Sequence, residues 1–153
     1  MTQSVRSVAI VGAGFCGTVM AINLLRLSGN EPLQVVLIDR ERTARGTAFA
    51  DRPYPYLLNV PAGRLSATSA EPLEFVMYAR QRRPDVTTAD FLPRSLYGEY
   101  LESSLREAET SSPPHVRLQR IHGVACGIAR TGGTSPFWLA AGSDSGLCCS
   151  SAD

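Results

Sequence analysis

Residues 8–25, which read VAIVGAGFCGTVMAINLL, place three glycines between two apolar runs. The first run is short and β-branched, which predicts a buried strand over residues 7–11. The second run repeats its apolar residues at helical spacing and predicts a helix over residues 15–28. A strand that turns directly into a helix is the first half of a βαβ unit.

A second apolar run completes this unit. Residues 34–38 read QVVLI, which is typical of a buried strand, and Asp39 follows directly. We therefore expect two parallel strands joined by a right-handed crossover. Residues 40–70 show no period, and such a stretch inside a domain is usually functional or disordered. Its aromatic and aliphatic residues argue against disorder and favour a functional loop.

The glycine spacing predicts a dinucleotide site. Gly12, Gly14 and Gly17 form G-x-G-x-x-G, with Phe15 and Cys16 between the last two glycines. The first glycine allows a tight turn, the second lets backbone approach a pyrophosphate, and the third lets the helix pack closely on the sheet. The start of the helix offers free N–H groups and a positive dipole end to the phosphates. We predict that these five residues contact the cofactor.

Asp39 is the candidate ligand of the ribose. It lies 22 residues after Gly17, close to the spacing of about 20 at which an acidic residue accepts hydrogen bonds from ribose hydroxyls. Arg40 beside it has two interpretations, a contact to an NADP 2′-phosphate or a solvated residue after a strand. The motif stands at the start of the chain, which favours FAD.

Beyond residue 70 the pattern predicts two helices and three strands, over residues 72–83 and 95–109 and over residues 115–121, 124–130 and 136–141. We expect an α/β chain with a Rossmann-like dinucleotide-binding fold, which has an incomplete parallel sheet and the start of an antiparallel β-meander. Residues 1–141 form one incomplete FAD/NAD(P)-binding domain in this interpretation, and residues 142–153 form an irregular tail.

Charge and hydropathy argue against two classes of partner. The net charge of +1 creates no field that would recruit nucleic acid or a membrane surface. No apolar run is long enough to span a bilayer, and the N-terminus lacks a signal-peptide pattern. We therefore expect a cytoplasmic protein, and protein partners stay open.

The cysteines and histidines predict no metal site. Cys16, Cys126, Cys148 and Cys149 lack a C-x-x-C pair and show no ligand spacing with either histidine. We interpret them as reduced, structural residues. Neither histidine has a partner in the sequence that would make a catalytic pair, so the catalytic residues stay unknown.

Three stretches carry a family resemblance: the glycine motif, "ARGTAFADRPYPYLLNVPAGRLSA" and "DFLPRSLYGEYL". Together they resemble the N-terminal part of the FAD-NAD(P)-binding family, which is similar in layout to flavin monooxygenases and glutathione-reductase-like folds. The resemblance covers residues 5–130. It implies FAD as the cofactor and leaves NAD(P)H open as a second one. It also implies that the loop with Asn59 approaches the flavin, that Arg94 lies near the cofactor phosphates, and that Ala125 and Cys126 lie at the adenine edge.

The end of the chain departs from this resemblance. The family continues into a third meander strand and a buried strand with an A-T-G turn, and we expect neither here. The last residues are typical of a truncated or frameshifted product. The resemblance implies the N-terminal part of a flavin-dependent oxidoreductase of unknown substrate. Two alternatives stay open: a nucleotide-binding module without catalysis, and a decayed fragment without activity.

Overall fold

A computed structural model describes residues 5–41, 45–54, 56–128, 137–140 and 149–150. The elements in chain order are β1 Arg6–Val11, α1 Phe15–Arg26, β2 Leu33–Asp39, α2 Gly46–Phe49, a 3₁₀ turn Ala62–Arg64, α3 Glu74–Arg80, α4 Arg94–Ser111, β3 Val116–His122, β4 Val124–Ile128, β5 Phe137–Ala140 and β6 Cys149–Ser150.

Strands β1, β2 and β3 form a parallel sheet in the order β1-β2-β3. The register pairs Ile10 with Leu37 and Leu37 with Arg120. The α/β fold class and the incomplete parallel sheet predicted from the sequence are therefore confirmed. Because β2 lies between two neighbours, its side chains Val35, Leu37 and Ile38 are buried.

Strand β1 is less buried than its β-branched sequence predicts. Within the described residues it has a sheet neighbour on one side, namely β2. Val11 is 57% exposed, and no residue of β1 is fully buried. The prediction of a buried strand is wrong on this point, because an edge strand loses the cover that a second neighbour would supply.

Strands β4, β5 and β6 form a second, antiparallel sheet in the order β4-β5-β6, with an irregularity between Ala125 and Gly127. The start of a β-meander is thus confirmed. Its third strand, Cys149–Ser150, pairs with β5 and lies in the segment expected to be an irregular tail. The expectation that no third meander strand exists is therefore corrected.

Helix α1 packs on the parallel sheet, and the longer helix α4 packs on α1. Their contact surface supplies much of the core, including Ile22 and Leu25 of α1 and Tyr97, Leu101 and Leu105 of α4. Helix α4 was predicted over residues 95–109, and the structure extends it by one residue at the start and two at the end. Within the described residues, no helix combines the length and the apolar character that a bilayer crossing needs.

A polar network ties the three longer helices together. The Arg26 guanidinium donates to both carboxylate oxygens of Glu74, at 2.7 and 3.2 Å. The Tyr100 hydroxyl donates to Glu74 at 2.8 Å and accepts from the Ala67 N–H at 2.8 Å. Burial raises the pKa of Tyr100 to about 12. We call Arg26, Glu74 and Tyr100 the helix clamp.

Candidate functional site

The first glycine of the motif makes the turn between β1 and α1. Gly12 has a φ of +97°, in the left-handed region that favours glycine. Its N–H donates to the carbonyl oxygen of Ile38 at 2.7 Å, which fixes the turn at the end of β2. We call residues 12–17 the glycine turn.

The third glycine allows close contact between α1 and the strand before it. A Cβ atom at Gly17 would lie 1.8 Å from the carbonyl oxygen of Gly12 and 3.1 Å from Cγ2 of Ile10. Backbone therefore occupies the space that any side chain at this position needs. The packing role predicted for Gly17 agrees with this geometry.

Gly14 differs from both neighbours in the motif. Apart from its chain neighbours, no atom of the described residues lies within 4 Å of a Cβ atom placed there, and its φ of −72° suits any residue. Within the part of the chain that the structure describes, neither packing nor backbone conformation thus requires glycine at position 14.

Helix α1 begins without a side-chain cap. Gly14 is the N-cap residue and makes no side-chain cap, and the first turn has no acidic residue. The first N–H groups of a helix lack intrahelical acceptors, so they can bind an anion. Cys16 is exposed in this turn, and Phe15 is 40% exposed.

Sequence reasoning missed Thr18. Its hydroxyl donates to the carbonyl oxygen of Ala13 at 3.0 Å, and its N–H donates to the carbonyl oxygen of Gly14 at 2.9 Å. Because the Thr18 side chain is buried, these bonds fix the glycine turn from its side that faces the core. The available signal was a short hydroxyl side chain directly after the third glycine.

Asp39 lies against the glycine turn. Its Oδ2 accepts from the Ala13 N–H at 2.5 Å, and its Oδ1 accepts from the Glu41 N–H at 2.6 Å. Its backbone carbonyl accepts from the Gly123 N–H at 2.9 Å. Asp39 therefore joins the turn, the end of β2 and the start of the meander. Arg40 beside it is exposed.

The loop after β2 reaches the glycine turn through Gly46. This residue has a φ of +56°, and a Cβ atom there would lie 2.9 Å from the Cα of Gly14. The ring of Phe49 then packs between Phe15 and Tyr97, with centroid distances of 6.1 and 5.0 Å. These residues, GTAF, belong to the second stretch that carries the family resemblance, and in the structure they lie next to the glycine turn.

The other predicted site residues lie in different surroundings. Arg94 donates from Nε to the carbonyl oxygen of Leu57 at 3.1 Å, and its guanidinium lies 4.5 Å from the ring centroid of Tyr56. Asn59 is exposed in the loop, and Ala125 is half-buried in β4. Both of these contacts join Arg94 to the loop that contains Asn59, and neither joins it to the glycine turn.

The glycine turn, the acid at the end of β2 and the parallel sheet match the sequence pattern of one family. A model of FAD-NAD(P)-binding sequences matches residues 9–147. The chain belongs to the FAD-NAD(P)-binding family. This confirms the resemblance, and the match extends beyond residue 130, the end of the stretch over which the resemblance was recognised. The cofactor class is therefore a flavin or nicotinamide dinucleotide. No curated protein is similar enough in sequence to count as a match.

Two solved structures with TM-scores above 0.5 share the fold of this chain. S-allyl-L-cysteine S-oxygenase from Allium sativum is 20% identical with a TM-score of 0.61, over 99% of this chain and 35% of that one. Diels-Alderase PyrE3 of pyrroindomycin biosynthesis is 15% identical with a TM-score of 0.53, over 90% of this chain and 30% of that one. A flavoprotein/dehydrogenase from Cytophaga hutchinsonii is 13% identical with a TM-score of 0.49, over 88% and 34%. The chain spans about a third of each of these proteins.

Proposed function

We propose that the glycine turn binds the pyrophosphate of FAD, and that this chain is the cofactor-binding part of a flavin-dependent oxidoreductase. The observation that carries the proposal is Gly14. No described residue fills its side-chain space, and it stands at the start of a helix that has no side-chain cap and whose first N–H groups have no intrahelical acceptor. Gly14 is explained if the backbone at this position must approach a phosphate closely, because a side chain would then be in the way.

Asp39 supplies the second contact in this proposal. Each carboxylate oxygen accepts one backbone N–H, and each has a further lone pair for a ribose hydroxyl. The negative charge beside the ribose disfavours a 2′-phosphate, which favours FAD over NADP. The exposed side chain of Arg40 fits the solvated interpretation.

A flavin, when bound, supplies the redox chemistry. The residues of this chain bind and orient it: the turn holds the phosphates, and Asp39 holds the ribose. We propose that Asn59 approaches the flavin, that Arg94 lies near the phosphates and that Ala125 lies at the adenine edge. An oxygenase is among the structures with this fold, and oxygenation is one reaction class that we propose to test for this chain's flavoenzyme.

Calorimetric titration with FAD, NAD⁺ and NADP⁺ tests the proposal. We expect FAD to bind most tightly, and Gly14→Ala to weaken it about tenfold or more with no loss of folding stability. Gly29→Ala is the matched control, because a Cβ atom at Gly29 also meets nothing within 4 Å. Equal FAD affinity in the Gly14→Ala variant and the parent would contradict the proposal.

A further inference from the structure

The segment of residues 45–51 lies between the glycine turn and helix α4. On one side a Cβ atom at Gly46 would lie 2.9 Å from the Cα of Gly14. On the other side a Cβ atom at Gly98 of α4 would lie 2.8 Å from the carbonyl oxygen of Phe49. The backbone of the segment therefore lies close to both the glycine turn and α4.

Arg45 anchors this segment to α4. Its guanidinium donates to Glu102 at 3.1 Å and to Asp51 at 2.9 Å. The side chains of Arg45 and Glu102 are 19% and 22% exposed, whereas that of Asp51 is 77% exposed. Solvent screens the contact to Asp51 more strongly, so Glu102 contributes the stronger anchor.

The charge of Arg45 is held by these acids. Burial opposes the charge, but the hydrogen bond to Glu102 and the negative charges of Glu102 and Asp51 raise the pKa of Arg45 above its ordinary value. Two of the three guanidinium nitrogens, Nη1 and Nη2, are thus bound to acids of the same chain. A residue in this state acts on a ligand through the backbone that it holds.

We propose that Arg45 is a positioning residue, which together with Glu102 holds Gly46 against Gly14 and so sets the space that receives the pyrophosphate. This inference rests on the proposed function. Loss of either partner removes the ion pair between Arg45 and α4, and we expect the neighbouring contact at Gly14 to loosen, although Phe49 still packs on Tyr97. Dinucleotide affinity then depends on a glutamate 57 residues away from Arg45 along the chain.

The test is FAD titration of Arg45→Met, Glu102→Gln and the double variant. We expect each single change to weaken FAD binding about three- to tenfold, the scale of one partly buried charged hydrogen bond. The double variant should bind no more weakly than Arg45→Met, because that change already removes the ion pair with Glu102. Glu109→Gln is the matched control: it makes the same change on the same helix, in an exposed ion pair with Arg120, and should leave the affinity unchanged.

Hydrogen exchange of the free chain supplies a readout without ligand. We expect faster exchange in residues 45–51 for Arg45→Met and Glu102→Gln, and parental exchange for Glu109→Gln. Unchanged or tighter FAD binding in Glu102→Gln, with a parent that binds FAD, would overturn the positioning role and leave the proposed function intact. A parent that binds no dinucleotide would overturn the proposed function, and parental exchange rates in both variants would overturn the anchor itself.

Discussion

The two ends of helix α1 have different roles: the first faces the proposed ligand site, and the last is bound to other helices. At its start, the helix has no side-chain cap, and no described residue fills the side-chain space at Gly14. Near its end, Arg26 is joined to Glu74 and Tyr100 in the helix clamp, in which the hydrogen bonds are made within the chain. Open donors bind ligands, and satisfied ones hold a fold together. Changes at the two ends should therefore separate affinity from stability.

Gly17→Ala should have the largest effect and should break this separation. The new Cβ atom would lie 1.8 Å from the Gly12 carbonyl oxygen, so the start of α1 must move away from β1. We expect a loss of about 3 kcal/mol in the free energy of unfolding, as for a severely overpacked core site. Urea denaturation measures it, with Gly29→Ala as control. Parental stability would show that the helix does not pack this closely.

Glu74→Ala should lower stability next most. It leaves the Arg26 charge and the Tyr100 hydroxyl without their shared partner, at side chains that are largely shielded from water. We expect a loss of about 2 kcal/mol in the free energy of unfolding. FAD affinity at a temperature where the variant is folded should match that of the parent. A weaker affinity would mean that the two ends of α1 are coupled.

Asp39→Ala should lower both FAD affinity and folding stability, because Asp39 serves the ligand and the glycine turn. We expect FAD affinity to fall by about 1–3 kcal/mol, the cost of leaving polar partners unpaired. The Ala13 N–H also loses its acceptor, so stability should fall by about 1 kcal/mol. Calorimetry and urea denaturation measure the two effects. An unchanged dissociation constant would limit Asp39 to holding the turn.

The sequence predicted the local part of this account. The glycine spacing and the acid after β2 lie within 28 residues, from Gly12 to Asp39, and their geometry follows from the βαβ unit. The helices around Phe75 and Tyr97 followed from their apolar spacing and the prolines near them. Each of these inferences needed only residues that are close in the chain.

Contacts between distant residues could not be predicted in this way. Arg45 and Glu102 look like ordinary surface charges in the sequence, and no periodicity indicates that Gly46 touches Gly14. The exposure of β1 was also missed, because apolar composition does not tell whether a strand has one neighbour or two. Thr18 was missed for a different reason. Its hydroxyl side chain directly follows the third glycine, so the sequence did contain a local signal for its role.

The reactivity of the Cys16 thiol shows directly whether the dinucleotide binds at the glycine turn. The thiol is exposed within the turn, so a bound pyrophosphate should shield it from an alkylating reagent. The measurement is the alkylation rate of the peptide that contains Cys16, with and without saturating FAD. We predict slower alkylation with FAD in the parent and in Gly29→Val, and no protection in Gly14→Val at the same concentration. Equal rates with and without FAD, in a parent that binds FAD by calorimetry, would contradict the account.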